Sequence, residues 1–155
     1  KYTIEKIILL SPSDILHMIK TYIPHWQNHA KRAKQMIENH QEDIIMDVRL
    51  WNDAPVSAGT FWNYTRPDSN TWIFNYGDPD KKFRFFSDIT IPIVAFFPEN
   101  DFSIGVSPEK ALALLHEKTT SPSLATHVIP GTVHNYMGKE KELTEKIIVW
   151  LKTGK

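Results

Sequence analysis

Three short runs of this chain are almost continuously apolar. Residues 6–10 read KIILL and end in Ser11-Pro12, 91–97 read IPIVAFF and end at Pro98, and 125–129 read ATHVI and end in Pro130-Gly131. A strand that is apolar on both faces is covered on both faces, which is the condition of a parallel sheet. Pro92 falls at the start of its run, where a missing N–H is tolerated. Two helical patterns follow. Ser107 is placed to cap a helix that has Pro108 at its first position and Glu109 near its positive end. Its apolar face is Ala111, Leu112 and Leu115. A second helix is predicted over 139–151, where Leu143, Ile147 and Leu151 recur every fourth residue with Ile148 beside them. Strand, helix, strand, helix in this order predicts parallel strands joined by right-handed crossovers.

The stretch 14–88 has a different texture. Ile23, Ala30, Ala33 and Ile37 are spaced for one face of a helix over 24–39. A turn-rich, aromatic region follows, with Trp51, Phe61, Trp62, Tyr64, Trp72, Phe74 and Tyr76. A connection this long is not a plain crossover loop, and it reads as an insertion that covers something. The aromatic side chains Trp51, Phe61, Trp62 and Trp72 suit an apolar substrate pocket and equally suit a small core within the insertion.

Composition narrows the function classes. The 155 residues carry a net charge of zero, without the basic surplus that nucleic acid or an anionic membrane would require. Neither is expected as a partner. The absence of cysteine removes disulfides, thiolate metal sites and cysteine nucleophiles. No apolar run approaches the ~20 residues of a membrane span. The chain opens on Lys1 and enters strand-like sequence at once, so further sequence is expected upstream. A cytoplasmic location is the default expectation.

In parallel α/β sheets, ligands bind at the C-terminal ends of the strands. Asp101 follows the second run in Glu99-Asn100-Asp101, and His134 follows the third in Gly131-Thr132-Val133-His134. A carboxylate and an imidazole at neighbouring strand ends suit a general base whose tautomer is fixed by an acid. Asp before His is also the order of the α/β-hydrolase triad.

Here a resemblance becomes explicit. The segments IPIVAFFPENDFSIGVSPEKAL, HVIPGTVHNYMGKEKEL and IIVWL resemble the last third of an α/β-hydrolase. More narrowly, they are similar to a branch of that superfamily with LLSP-x-D after its sixth strand, an aromatic cap, an END turn, and a GxxHN turn followed by GKE. The corresponding residues are Leu9 to Asp14, Glu99 to Asp101, Gly131 to Asn135, and Gly138 to Glu140. The resemblance implies a partial α/β-hydrolase fold: a parallel sheet with flanking helices and a helical, aromatic cap. The three runs would be strands six to eight, 14–88 the cap, and 89–155 the core bearing the acid Asp101 and the base His134. It implies a serine hydrolase acting on a small or medium ester or amide, without cofactor or metal.

The chain also departs from that pattern. It contains no Gly-x-Ser-x-Gly, so the nucleophile and oxyanion hole are expected in an upstream half of the same domain, and the chain alone is expected to be inactive. A hydrolase-fold protein that binds without catalysing is the alternative. Without its upstream neighbour, residues 6–10 would offer an open sheet edge for self-association.

Rival residues weigh less. Asp14 is an alternative acid, because some hydrolases of this fold carry the acid after the sixth strand. Ser11 and Ser13 lie at a strand end but lack the glycine-flanked elbow of a nucleophile. His17, His25, His29 and His40 lack the carboxylate that would complete an HExxH metal site. Glu99 reads as a solvated turn residue, and Asn135 as one that orients the turn.

Overall fold

A computed structural model describes residues 3–154. In chain order the elements are β1 (Ile7–Leu10), α1 (Ile15–Tyr22), α2 (Trp26–Glu38), β2 (Ile45–Arg49), β3 (Pro55–Ser57), α3 (Ala58–Thr65), β4 (Ile93–Asn100), α4 (Pro108–Lys118), β5 (Leu124–Val133) and α5 (Glu140–Thr153). The three apolar runs form one parallel sheet in the order β1-β4-β5. Ser107 caps α4 by accepting from Lys110 N at 3.3 Å.

β4 is the centre of the fold, and alternate side chains on it enter opposite layers. Ile93, Ala95 and Phe97 pack against Ala111, Leu114 and Leu115 of α4. Val94 and Phe96 pack with Ile129, Leu143 and Trp150, the last two from α5. Burying each large side chain contributes about 1.5–3 kcal/mol before entropy is counted, so this strand, covered on both faces, is a firmly held support for a site.

β4 and β5 both run further than their sequence predicts. Pro98 does not stop β4. The carbonyls of Pro92 and Phe96 accept from Ile7 and Ser11 on the β1 side, and Pro98 faces the same way. β1 ends at Leu10, opposite Phe96, so no strand is there to use the N–H that Pro98 lacks.

The stretch 14–88 divides between two cores. Phe74, Tyr76, Phe83 and Phe86 pack against the sheet beside α4. Ile19, Ile23, Ala30, Ala33, Met46, Val48, Val56, Ala58 and Phe61 form a separate cluster. α1 and the β2–β3 hairpin are elements the sequence did not announce. Asp14 caps α1, its side chain accepting from His17 N at 2.9 Å. In β2 the burial alternates, with Met46 and Val48 inward. Among the described residues, no helix is long and apolar enough to cross a membrane.

Candidate active site

Asp101 follows β4 directly and His134 follows β5 directly, and a register shift makes them neighbours. Pro98 pairs with Ile129, but two residues later Asn100 pairs with Val133. β5 therefore holds two extra residues, Pro130 and Gly131. Without them Asp101 would face Thr132; with them it faces His134. Gly131 sits at φ +65°, a conformation that favours glycine. Its N–H donates to Glu99 Oε2 at 2.8 Å, so exposed Glu99 clamps this bulge as well as facing solvent.

His134 Nδ1 lies 3.0 Å from Asp101 Oδ1 and 3.2 Å from Ser103 Oγ. The Asp101 side chain is fully buried and that of His134 is 39% exposed. Asp101 Oδ1 also accepts from Ser103 N at 2.9 Å, the two-residue reach of an Asx turn. Its Oδ2 is buried without a hydrogen-bond partner among the described residues, as is Tyr76 Oη. With Nδ1–H given to the carboxylate, Nε2 of His134 is left as the free base.

Electrostatics polarise this pair. Burial pushes the Asp101 pKa up, but hydrogen bonds from His134 and from the backbone and side chain of Ser103 outweigh it, and the net shift is down. For His134 the hydrogen bond to Asp101 raises the pKa, burial opposes it, and the charge of Asp101 adds to the rise. A lowered acid beside a raised base is the signature of an ion pair. Burial first, then the charges of Asp14 and Asp101, push the Tyr76 phenol well above its ordinary value.

The third strand end braces the other two. Ser11, after β1, donates its Oγ to the backbone carbonyl of His134 at 2.8 Å. Ser11 N lies 3.0 Å from Tyr136 Oη, which itself donates to the Phe96 carbonyl at 2.7 Å. Ser11 and Tyr136 both hold positive φ, at 45° and 57°, each costing about 1–2 kcal/mol in a non-glycine residue. Sequence reasoning missed Ser103 and Tyr136. The spacing Asp101-x-Ser103 offered an Asx-turn signal; nothing announced Tyr136.

The remaining candidates lie elsewhere. Asp14 is buried, but its Oδ1 accepts from His17 N and its Oδ2 from Gly77 N at 3.0 Å, so neither oxygen is given to His134. Ser13 Oγ bonds to Ser11 O and Ser103 Oγ. Phe61 is fully buried in the insertion's cluster, with Trp51 and Trp62 packed against it. Trp72 donates Nε1 to Tyr64 O at 2.8 Å and stacks under Lys81. The residues that line the space beside His134 are instead Phe102, Val133 and Asn135, around a cavity of about 240 Å³. Phe102 lies 5.4 Å from the imidazole, ring to ring, and Tyr22 lies edge-on to Phe102 at 6.1 Å. Asn135 Oδ1 accepts from Met137 N, holding the turn. His29 meets Phe61 edge-on and His25 opens α2. No group of three His, Asp or Glu able to hold a metal occurs among the described residues.

A parallel sheet covered by helices on both sides, with a carboxylate and an imidazole paired across adjacent strand ends, is an α/β architecture of the hydrolase type. No protein-family model matches the sequence, and no curated protein is significantly similar to it. Among solved structures, the chain is similar to the monoacylglycerol lipase of Paleococcus ferrophilus, with a TM-score of 0.59 and 12% identity over 96% of this chain. It is also similar to the Bacillus subtilis carboxylesterase CesB, with a TM-score of 0.43 and 12% identity over 97% of this chain and 52% of that one. The chain has a partial α/β-hydrolase fold. It spans 58% of the length of the Paleococcus lipase chain.

Proposed function

We propose that this chain supplies the acid and the base of a serine hydrolase acting on an ester or amide of small to medium size. The observation that carries the reading is the 3.0 Å contact between His134 Nδ1 and Asp101 Oδ1, at the ends of adjacent strands, with no hydrogen bond to Nε2 among the described residues. The nucleophile is a serine outside residues 1–155, on the part of the domain that would lie against the open edge of β1. That serine attacks the carbonyl; His134 Nε2 takes its proton and returns it to the leaving group. Asp101 holds the imidazole and stabilises it once charged. The cavity bounded by Phe102, Val133 and Asn135 receives an apolar portion of the substrate. Without the serine, residues 1–155 are inactive alone.

The test is turnover of short p-nitrophenyl esters by a protein carrying the complete domain. His134→Ala removes the base, and triad members of this kind contribute on the order of 10⁴–10⁶-fold to kcat. Undiminished turnover by His134→Ala would show that the pair is not the acid and base. Labelling of the complete protein by a fluorophosphonate, abolished by prior heating, is the result expected of an activated serine, and the labelled peptide identifies it.

A further inference from the structure

We propose that the turn 11–14, which follows β1, is the positioning element of the acid–base pair, holding the His134 backbone through Ser11 and the Asp101 turn through Ser13 and Asp14. The proposal rests on the functional reading above, but its test does not require turnover. None of these residues touches substrate in this role, so they are positioning residues and not catalytic ones.

Five contacts converge from this short turn. Ser11 Oγ donates to His134 O at 2.8 Å, fixing the backbone that carries the imidazole. Ser11 N is shared between Phe96 O at 3.0 Å and Tyr136 Oη at 3.0 Å. Ser13 Oγ lies 2.9 Å from Ser103 Oγ, the hydroxyl that stands 3.2 Å from His134 Nδ1. Asp14 N donates to Ser103 O at 3.0 Å. Ser103 is thus gripped through both its side chain and its carbonyl, while its own N–H holds Asp101 Oδ1.

The turn is itself anchored. The Asp14 carboxylate is buried and accepts from His17 N and Gly77 N, so it ties the start of α1 to the aromatic segment near Tyr76. The His17 ring then lies so close to Gly77 and Gly105 that an added Cβ at either would overlap it. Gly105 belongs to the loop between Asp101 and α4. The turn therefore reaches the acid loop at Ser103 and the base loop at His134 and Tyr136, while α1, which its Asp14 caps, meets the acid loop at Gly105.

Backbone strain points the same way. Ser11 is a buried, non-glycine residue at φ 45°, and Tyr136, across the clasp, is another at φ 57°. Strained backbone persists where surrounding contacts over-determine it, and here those contacts end on the acid and the base.

The experiment is a two-dimensional NMR titration of the His134 imidazole in a protein carrying the complete domain and in its Ser11→Ala and Ser13→Ala variants, with thermal unfolding of each. If the turn positions the pair, either substitution loosens His134 from Asp101. The His134 pKa then falls from its raised value toward 6.5, the ordinary value for histidine. Met46→Ala in the separate cluster is the control: it lowers Tm without moving the titration. Native spectra with an unchanged His134 titration in both serine variants overturn the proposal. Should Ser11→Ala not fold, Tyr136→Phe, which removes the hydroxyl that contacts Ser11 N in the same clasp, decides in its place. Turnover measured on the complete domain tests the hydrolase reading separately, since an inactive complete protein with a shifted titration leaves the clasp standing.

Discussion

The Asp101–His134 contact makes a quantitative prediction about stability. Consider a double-mutant cycle of Asp101→Asn and His134→Ala, read by urea unfolding. The amide oxygen of asparagine can occupy the place of Oδ1 and keep both donors, Ser103 N and His134 Nδ1. The amide nitrogen then takes the place of Oδ2, which is buried without a partner. That orphan donor costs about 1–3 kcal/mol, but the cost recurs in the double variant and cancels in the cycle. What remains is the excess of the carboxylate–imidazole interaction over the neutral hydrogen bond that asparagine keeps. A hydrogen bond between charged groups is worth about 1.5–3 kcal/mol. Because His134 is 39% exposed, solvent screening brings the expected coupling to about 1–2 kcal/mol. The pH dependence has a definite sign. The folded pKa of His134 lies above 6.5, so its contribution is complete below pH 6.5 and is lost as pH rises through the folded value. The folded pKa of Asp101 lies below 3.8, so its contribution is present above pH 3.8 and is lost as pH falls through that lower value. Full coupling is expected at about pH 5.5, falling toward zero at about pH 9, where the imidazole is neutral and asparagine accepts its N–H much as the carboxylate does. No coupling at the lower pH, or coupling that grows with pH, refutes the ion pair.

Other outcomes follow from the same geometry. In a protein carrying the complete domain, kcat/KM rises with pH along a limb whose midpoint lies above 6.5, because the base must be neutral, and Asp101→Asn moves the limb down; a flat profile over about pH 6–9 contradicts His134 as base. Gly105→Ala, at φ +68° and against the His17 ring, is expected to destabilise by about 2–4 kcal/mol. Part of that loss should return when His17→Ala is added, and no recovery in urea would show the overlap to be irrelevant. Gly131→Ala, also at positive φ but with nothing nearer than Lys139 Cε at 4.0 Å, should cost only the backbone share of about 1–2 kcal/mol. Among the described residues β1 pairs only with β4, so residues 1–155 alone should self-associate through its outer edge, and a monomer at every concentration in sedimentation counts against this.

The parts of the fold legible in the sequence are those whose apolar residues run unbroken. KIILL, IPIVAFF and ATHVI pair in parallel in a single sheet, but only β4, at its centre, is buried on both faces; β1 and β5 flank it and are half-buried. Helices with strong end signals, such as Ser107-Pro108, were equally readable. The insertion was less so. Strands as short as Pro55–Ser57 carry almost no periodicity, and α1 depends on a cap, Asp14, that was read as a candidate acid. The aromatic residues illustrate a deeper limit. Composition could not say which of Trp51, Phe61 and Trp62 face a substrate and which face one another, because pocket and core ask for the same side chains. Only tertiary packing separates Phe61, buried among Ile19 and Val56, from Phe102 beside the imidazole.

The site shows the same division more sharply. Sequence order suggested Asp101 and His134 as strand-end residues, yet their contact depends on register, and register is a long-range property. Counting from Pro98↔Ile129, an unbroken ladder would give Asp101 the wrong partner. Pro130-Gly131, which in sequence looks like the end of a strand, is the two-residue bulge that corrects the alignment and lets β5 continue to Val133. A strand stop and a bulge have the same local chemistry: a missing donor followed by a residue free to take positive φ. What distinguishes them is an acceptor supplied from elsewhere, here Glu99 Oε2, 32 residues away in the chain. The Ser11 hydroxyl acts over a still longer separation of 123 residues. Neither side chain has an unusual local context, which is why Glu99 read as a solvated turn and Ser11 as a poor nucleophile. Their significance lies in the donors and acceptors that face them once three strand ends are brought together.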